Sequence, residues 1–296
     1  MKNHCGSIAL VGRPNVGKST LLNAIIGEKL CITSRKPQTT RHAILGIHTS
    51  ESHQSIFVDT PGIHQTEKKL INKLMNKTAL RRLFGVDIVG FVVEAMQFEP
   101  EDEAILQQIK LANLPCVLVI NKIDCLNAQD ELLPYIEKVQ SLYNFKAIVP
   151  VSAQKGTQIK KLLQVFQSIL PEGEFTYSAE HFTDKPVRFL CAELLREKIF
   201  RLCGQELPYA TTVEIEAYEE GPKVDKIHAL IIVDKDSHKR MIIGEKGLKL
   251  KRIATEARQD MERLIGKKVF LQCFCKVKAG WSDDEQLLNQ FGYGKL

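Results

Sequence analysis

The sequence predicts an α/β domain built on a mostly parallel sheet, followed by a smaller α+β domain. Three observations carry this. Up to about residue 170, short and almost wholly apolar runs alternate with amphipathic stretches, the pattern of strands buried on both faces beneath helices. Residues 171–186 (PEGEFTYSAEHFTDKP) lose that periodicity and carry two prolines and a glycine. Beyond them the order changes to helix, two alternating strands, two helices and a strand. At 296 residues the chain is also about twice the ~150-residue prior for one domain. The division expected is therefore 1–172, a linker at 173–186, and 187–296 with a C-terminal helix.

The first-domain strands are expected at 7–11, 43–48, 55–59, 87–93, 116–120 and 148–152. The helices between them fall at 18–26, 67–84, 101–112, 130–142 and 158–169, the last stopping at Leu170-Pro171 because proline cannot continue a helix. In the second domain a helix near 187–203 precedes strands at 210–218 and 226–233, a Gly-x-x-Gly turn, a helix at 247–265 and a strand at 268–278. In that last helix Leu250, Ile253, Ala254, Ala257, Met261, Leu264 and Ile265 recur every three or four residues. Lys249, Arg252, Glu256, Gln259 and Arg263 are left on its outer face. Ser282 with Glu285 reads as a capping box for a terminal helix.

Composition narrows the function classes. Apolar residues at 44% and charged residues at 26% describe a folded globular chain and exclude disordered or fibrous ones. No segment approaches the ~20 apolar residues of a membrane span, and the first residues lack the apolar core of a signal peptide, so a cytoplasmic location is expected. Eight cysteines without a C-x-x-C pair indicate neither a zinc site nor a disulfide framework, and reduced, mostly buried thiols are the expectation. The net charge of +6 is concentrated: residues 238–278 hold twelve Lys/Arg against four acids, a local +8 that leaves −2 for the rest. Such a window is the footprint a polyanion partner needs.

Gly12-Arg13-Pro14-Asn15-Val16-Gly17-Lys18-Ser19, with Thr20 next, is a complete G-x-x-x-x-G-K-[ST] loop placed after a strand and opening a helix. Its glycines let successive N–H groups face a β-phosphate, Lys18 reaches the β- and γ-oxygens, and the Ser19 hydroxyl is a magnesium ligand. Asp59-Thr60-Pro61-Gly62 ends an apolar strand, where the carboxylate holds the metal through water and the Gly62 N–H meets the γ-phosphate. Asn121-Lys122-Ile123-Asp124 follows another strand. Asp124 there accepts from both the ring N–H and the exocyclic amine of guanine, donors that adenine does not pair in this way. Asn121 is expected to brace the loop, Lys122 to cover the base, and Ser152-Ala153 to bring a backbone N–H near the guanine carbonyl.

In this order the segments resemble the G1, G3, G4 and G5 motifs of the translation-factor-related GTPases. Gln38-Thr39-Thr40-Arg41 is similar to switch I of the Era-related bacterial GTPases, which implies Thr40 as a further magnesium ligand, with Thr39 as the open alternative. Where Ras-like proteins hold a water-orienting Gln, this chain has Ile63, so slow intrinsic hydrolysis is expected from Lys18, Thr40 and Gly62. Asn15 resembles a residue that binds potassium near the phosphates in some relatives; loop bracing explains it equally.

Gly244-Glu245-Lys246-Gly247 before the basic helix is similar to the loop of a type II KH module, in which about four single-stranded nucleotides are clamped. Lys246, Lys249 and Arg252 would then meet phosphates, and Glu245 tempers the affinity. With 206–209 and 276–281 also matching, the chain resembles the Era family of GTPases along its whole length. The resemblance implies GTP/GDP binding, single-stranded RNA near the 3′ end of 16S rRNA as partner, a role in small-subunit maturation, a monomeric chain and peripheral membrane association. A constitutive RNA tether that scarcely turns over GTP is the competing reading. An RNA-modification GTPase is disfavoured, since no further catalytic domain or cysteine motif is present.

Overall fold

The computed structural model describes residues 2–34, 41–59, 70–71, 85–126, 129–204, 207–291 and 293. Two units separate: one runs to Asp184, and the other begins at Lys185 and also takes in the described stretches 32–34 and 70–71.

The first unit is a six-stranded sheet in the order β2-β3-β1-β4-β5-β6. Its strands are β1 (His4–Val11), β2 (Ile44–Thr49), β3 (His53–Asp59), β4 (Ile88–Glu94), β5 (Cys116–Asn121) and β6 (Ala147–Pro150). Only β2 runs antiparallel to its neighbour. Helices α1 (Lys18–Ile26), α2 (Pro100–Ala112), α3 (Leu132–Gln140) and α4 (Ile159–Gln167) cover it. All six residues of β5 are buried, as a central parallel strand between two helical layers requires. On one face Ile105, Leu106 and Ile109 of α2 and Val139 of α3 pack on Phe91, Leu118 and Ile120; on the other Phe166 of α4 meets Phe57 edge-on.

Two registers align the parallel strands so that their C-terminal ends share one edge: Leu10 lies beside Asp59, and Ile120 beside Pro150. The loops after β1, β3, β5 and β6 therefore open on a common crevice, where ligands of α/β sheets bind. The strand expected at 148–152 ends at Pro150, because Ser152 already closes a turn with Thr157. Residues 171–184 run along this unit: the Ile47 N–H donates to the Phe182 carbonyl (3.0 Å) and the Leu45 N–H to Asp184 Oδ1 (3.1 Å). These bonds cover N–H groups on the exposed edge of β2. Gln54, fully buried, accepts from the N–H groups of Thr176 and Tyr177 and donates to the Tyr177 carbonyl.

The second unit holds a three-stranded sheet in the order β7-β8-β9 (Thr211–Glu219, Val224–Val233, Lys268–Val277). β7 pairs antiparallel with β8, and β8 parallel with β9. Its helices are α5 (Val187–Leu202), α6 (Asp236–Ile243), α7 (Leu248–Ile265) and α8 (Glu285–Gln290). Leu194 and Leu195 of α5 with Ile253, Ala257 and Met261 of α7 form one core with Ile227, Ala229 and Ile231. The capping box expected from Ser282 is not formed. Ser282 is buried in a 3₁₀ turn beside Trp281, and Asp284 caps α8 by accepting the Leu287 N–H. Also within this unit, the buried Glu197 carboxylate accepts the Thr33 N–H at 3.0 Å, and Arg201 pairs with the same carboxylate at 3.0 Å. No described helix is long and apolar enough to cross a membrane.

Candidate functional site

The turn from β1 into α1 is shaped by two glycines that no other residue can replace. A Cβ at Gly12 would strike the Val92 carbonyl, and one at Gly17 (φ +99) the Asn121 side-chain amide. Lys18, the first residue of α1, is buried and folded back, its Nζ donating to the carbonyls of Gly12 (2.8 Å) and Arg13 (3.0 Å). Burial lowers its pKa to about 8, against the opposing pull of Asp59 and Asp102. The ammonium is poorly solvated where it lies, so an arriving phosphate both pairs with it and restores its proton affinity. Ser19 Oγ donates to Asp59 Oδ2 at 2.7 Å, which brings together the hydroxyl and carboxylate expected at magnesium.

The base side is tied to this loop by one residue. Asn121 is buried at the end of β5; its Nδ2 donates to the Val16 carbonyl (2.8 Å), and its Oδ1 accepts the Ala153 N–H (3.0 Å). One amide thus joins the phosphate loop to the loop after β6. Lys122 takes a left-handed conformation (φ +65) and pairs with Glu94 at 2.6 Å. Asp124 stands exposed in a 3₁₀ turn, Ile123–Cys125, and Ser152 Oγ donates to its Oδ1 in a short hydrogen bond. The Ser152 side chain therefore orients the carboxylate, while its N–H donates to the Thr157 carbonyl.

In the second unit Gly244 (φ +69) ends α6, Lys246 and Gly247 also take positive φ, and α7 starts at Leu248. A Cβ at Gly244 would lie 2.6 Å from that of Lys249. Glu245 and Lys246 are exposed, and Lys249 half-buried. Arg252 is paired with Glu256 at 2.9 Å, so it meets a phosphate only by leaving that carboxylate. The ion pair is exposed and worth at most about 1 kcal/mol.

Residues 7–122 match the family described as 50S ribosome-binding GTPase, and residues 206–282 match the KH domain. The GTPase Era of Histophilus somni (strain 129Pt) is 48% identical over 293 residues, covering 99% of this chain and 98% of that protein. The chain belongs to the Era family of GTPases. The GTPase Era of Pasteurella multocida is likewise 48% identical, over 99% of this chain and 96% of its own length. A crystal structure of an Aquifex aeolicus Era variant bound to GDP·AlF4⁻ is 38% identical with a TM-score of 0.95, covering 99% of each chain. An Era complex with MgGDPNP and nucleotides 1506–1542 of 16S ribosomal RNA is equally close, at 38% and 0.95, over 98% of this chain and 99% of that one. An Era-family chain is a GTPase carrying an RNA-binding KH domain.

Of the residues singled out from sequence, Gly12–Thr20, Asp59, Asn121, Lys122, Asp124, Ser152 and Ala153 lie around the one crevice edge, and Gly244–Gly247, Lys249 and Arg252 around one turn of the other unit. Thr39, Thr40, Thr60, Pro61, Gly62 and Ile63, with most of the helix expected at 67–84, lie outside the described residues. One clamp escaped the sequence reading. Arg13 Nε donates to Asp102 Oδ2 (3.0 Å) and its Nη2 to Gln97 Oε1 (3.1 Å), which anchors the back of the phosphate loop to α2. Asp102 is buried and also accepts the Glu99 N–H in a capping box. The Glu99-Pro100-x-Asp102 spacing was its available signal. All eight cysteines are free, and burial pushes the thiols of Cys116, Cys191 and Cys273 up to about 12, far from reactivity.

Proposed function

We propose that the chain is a slowly hydrolysing guanine-nucleotide switch whose nucleotide state controls its grip on single-stranded RNA at the 3′ end of 16S rRNA during small-subunit maturation. The observation that carries the nucleotide half is the Asn121 bridge, which fixes the distance between a phosphate loop and a carboxylate aimed by Ser152. The RNA half rests on the Gly244–Gly247 turn and on the Era complex with nucleotides 1506–1542. In this reading residues 1–172 form the G domain, 173–186 the linker and 187–296 the KH domain. Work in the cytoplasm, as a monomer with peripheral contact to the inner face of the membrane, belongs to the same family reading.

Ser19 and Asp59 fit magnesium, which prefers hard oxygens and takes only one or two from the protein, phosphates and water filling the rest. Thr40, with Thr39 as the alternative, would complete the protein's share. When bound, the ion neutralises charge on the β- and γ-phosphates. The chain's own part is positional. Lys18 leaves the Gly12 and Arg13 carbonyls for the phosphate oxygens, loop N–H groups hold the β-phosphate, and Gly62 offers its N–H to the γ-phosphate. Nothing at Ile63 orients water, so turnover is slow. Asn15 is exposed in a left-handed conformation, with no side-chain hydrogen bond among the described residues.

The presence of Lys18, Ser19, Asp59 and Thr40 together, the residues hydrolysis needs, favours a switch over a constitutive tether. RNA affinity measured with GDP, with a non-hydrolysable GTP analogue and without nucleotide tests this. A several-fold difference among the three states supports the switch; equal affinity leaves a tether.

A further inference from the structure

The helices of the second unit cover one face of its sheet, and the C-terminal segment covers one end of the other. There Trp281 and Tyr293 are buried, and Tyr293 Oη bonds Thr212 Oγ1 at 3.0 Å. No other described element of this unit packs on the β9 part of that second face. Along β9, Val269, Leu271, Cys273, Cys275 and Val277 turn to the helices. Phe270, Gln272, Phe274 and Lys276 turn outward, all exposed, with Phe270 at 53% and Phe274 at 49%, while the exposed Lys268 reaches back to Glu262 of α7 at 3.5 Å. Two half-exposed phenylalanines in line on one solvent face, between lysines, are an apolar and aromatic feature suited to an occupant. The flanking charge says which. Lys226 and His228 of β8 sit directly beside Phe270 and Gln272, and Lys276 stands at one end of the stripe. The acids of the face, Glu214, Glu216 and Glu219, lie on β7 at its far edge, where the exposed Glu219 pairs with Lys226 at 3.8 Å.

We propose that the Lys268-Phe270-Gln272-Phe274-Lys276 stripe of β9 is a second RNA-contact surface, on which single-stranded bases stack while Lys276, and Lys268 on leaving Glu262, meet the phosphates. The proposal rests on the RNA-binding reading of this unit and extends it beyond the Gly244–Gly247 turn. Four residues of strand separate the two rings by about 13 Å, enough for each to take its own base with Gln272 between them. Stacking on an aromatic ring is tolerant of sequence, so the stripe adds affinity and length of contact rather than base choice.

The test uses the full chain and two probes: the 16S rRNA segment 1506–1542 and a tetranucleotide long enough only for the Gly244–Gly247 turn. Phe270→Leu with Phe274→Leu keeps the apolar character at exposed positions and removes the rings. It should weaken the long RNA at least about fivefold per ring and leave the tetranucleotide unchanged. Phe270→Trp with Phe274→Trp should restore the loss, and ultraviolet irradiation of the wild-type complex should crosslink RNA to these two residues. Full affinity of the leucine variant for the long RNA, or crosslinks confined to residues 244–252, overturns the stripe and leaves the KH reading intact. A loss that tryptophan does not restore also overturns it, as does loss of co-sedimentation with small subunits at unchanged RNA affinity, which would make the face a protein-docking surface. Failure of the wild-type chain to bind either probe overturns the RNA reading itself and the stripe with it.

Discussion

Lys18 makes nucleotide affinity a function of pH in a range where ordinary lysines do not titrate. Burial holds its pKa at about 8 in the folded chain, against 10.5 for a free lysine. Phosphate oxygens stabilise the ammonium, so the complex keeps it charged well above pH 8. From pH 7 to pH 9 the protonated fraction of the nucleotide-free form falls from about 90% to about 10%, and GDP affinity should fall about tenfold, some 1.4 kcal/mol. Binding at pH 9 should also take up about 0.9 proton. Calorimetric titration with GDP in two buffers of different ionisation heat reads both quantities. Lys18→Met, weaker throughout, provides the baseline and any contribution of the guanine ring itself. A wild-type affinity that is flat between pH 7 and 9, or a slope equal to that of Lys18→Met, would refute the claim that the folded-back ammonium is desolvated.

The same burial predicts that Lys18→Met stabilises the nucleotide-free chain at pH 7 by about 1–3 kcal/mol, since the folded state favours the neutral amine. The sign follows from a folded pKa below the unfolded one: wild-type stability rises between pH 8 and 10.5, and thermal melts across that range, which should be flat for the variant, check it. Asp102→Asn leaves Arg13 without its buried partner and should cost about 1–3 kcal/mol in urea melts and weaken GTP binding several-fold. Gly244→Asp with Gly247→Asp should abolish RNA binding in filter assays and spare GDP binding. For a tetranucleotide held at the Gly244–Gly247 turn alone, wild-type affinity should fall with salt at a slope of about −2, from the three phosphate contacts of Lys246, Lys249 and Arg252. Glu256→Gln frees Arg252 from its ion pair and should tighten RNA binding, a test of whether that arginine faces phosphate at all.

The nucleotide crevice was legible because its chemistry leaves little choice of residue. A loop that curls around phosphate needs glycine at 12 and 17, and the backbone carbonyls and amides of the structure fill every other space there. Parallel strands buried on both faces announce themselves as unbroken apolar runs, which is why β1, β4 and β5 lie within a few residues of their expected places. Polar anchors did not announce themselves. Gln54 holds the Thr176–Tyr177 backbone, and Arg13 holds Asp102, through contacts far apart in sequence that no local period encodes. The terminal helix start was misplaced by two residues because Ser282 and Asp284 are both residue types that cap helices, and Ser282 is buried beside Trp281 while Asp284 is free to accept the Leu287 N–H. The Arg252–Glu256 pair, at helical spacing on the outer face, was visible in the sequence and bears on RNA binding.

The central claim is that Asp124, aimed by Ser152 and set at a fixed distance from the phosphate loop by Asn121, reads guanine. Titrating Asp124→Asn with GTP and with xanthosine triphosphate tests it most directly, because xanthine exchanges the donor that the amide can no longer accept. Two hydrogen bonds to a charged acceptor, about 1.5–3 kcal/mol each, predict a loss of GTP affinity of a hundredfold or more and a gain for the xanthine nucleotide. Unchanged GTP affinity together with no gain for xanthosine triphosphate would contradict the account.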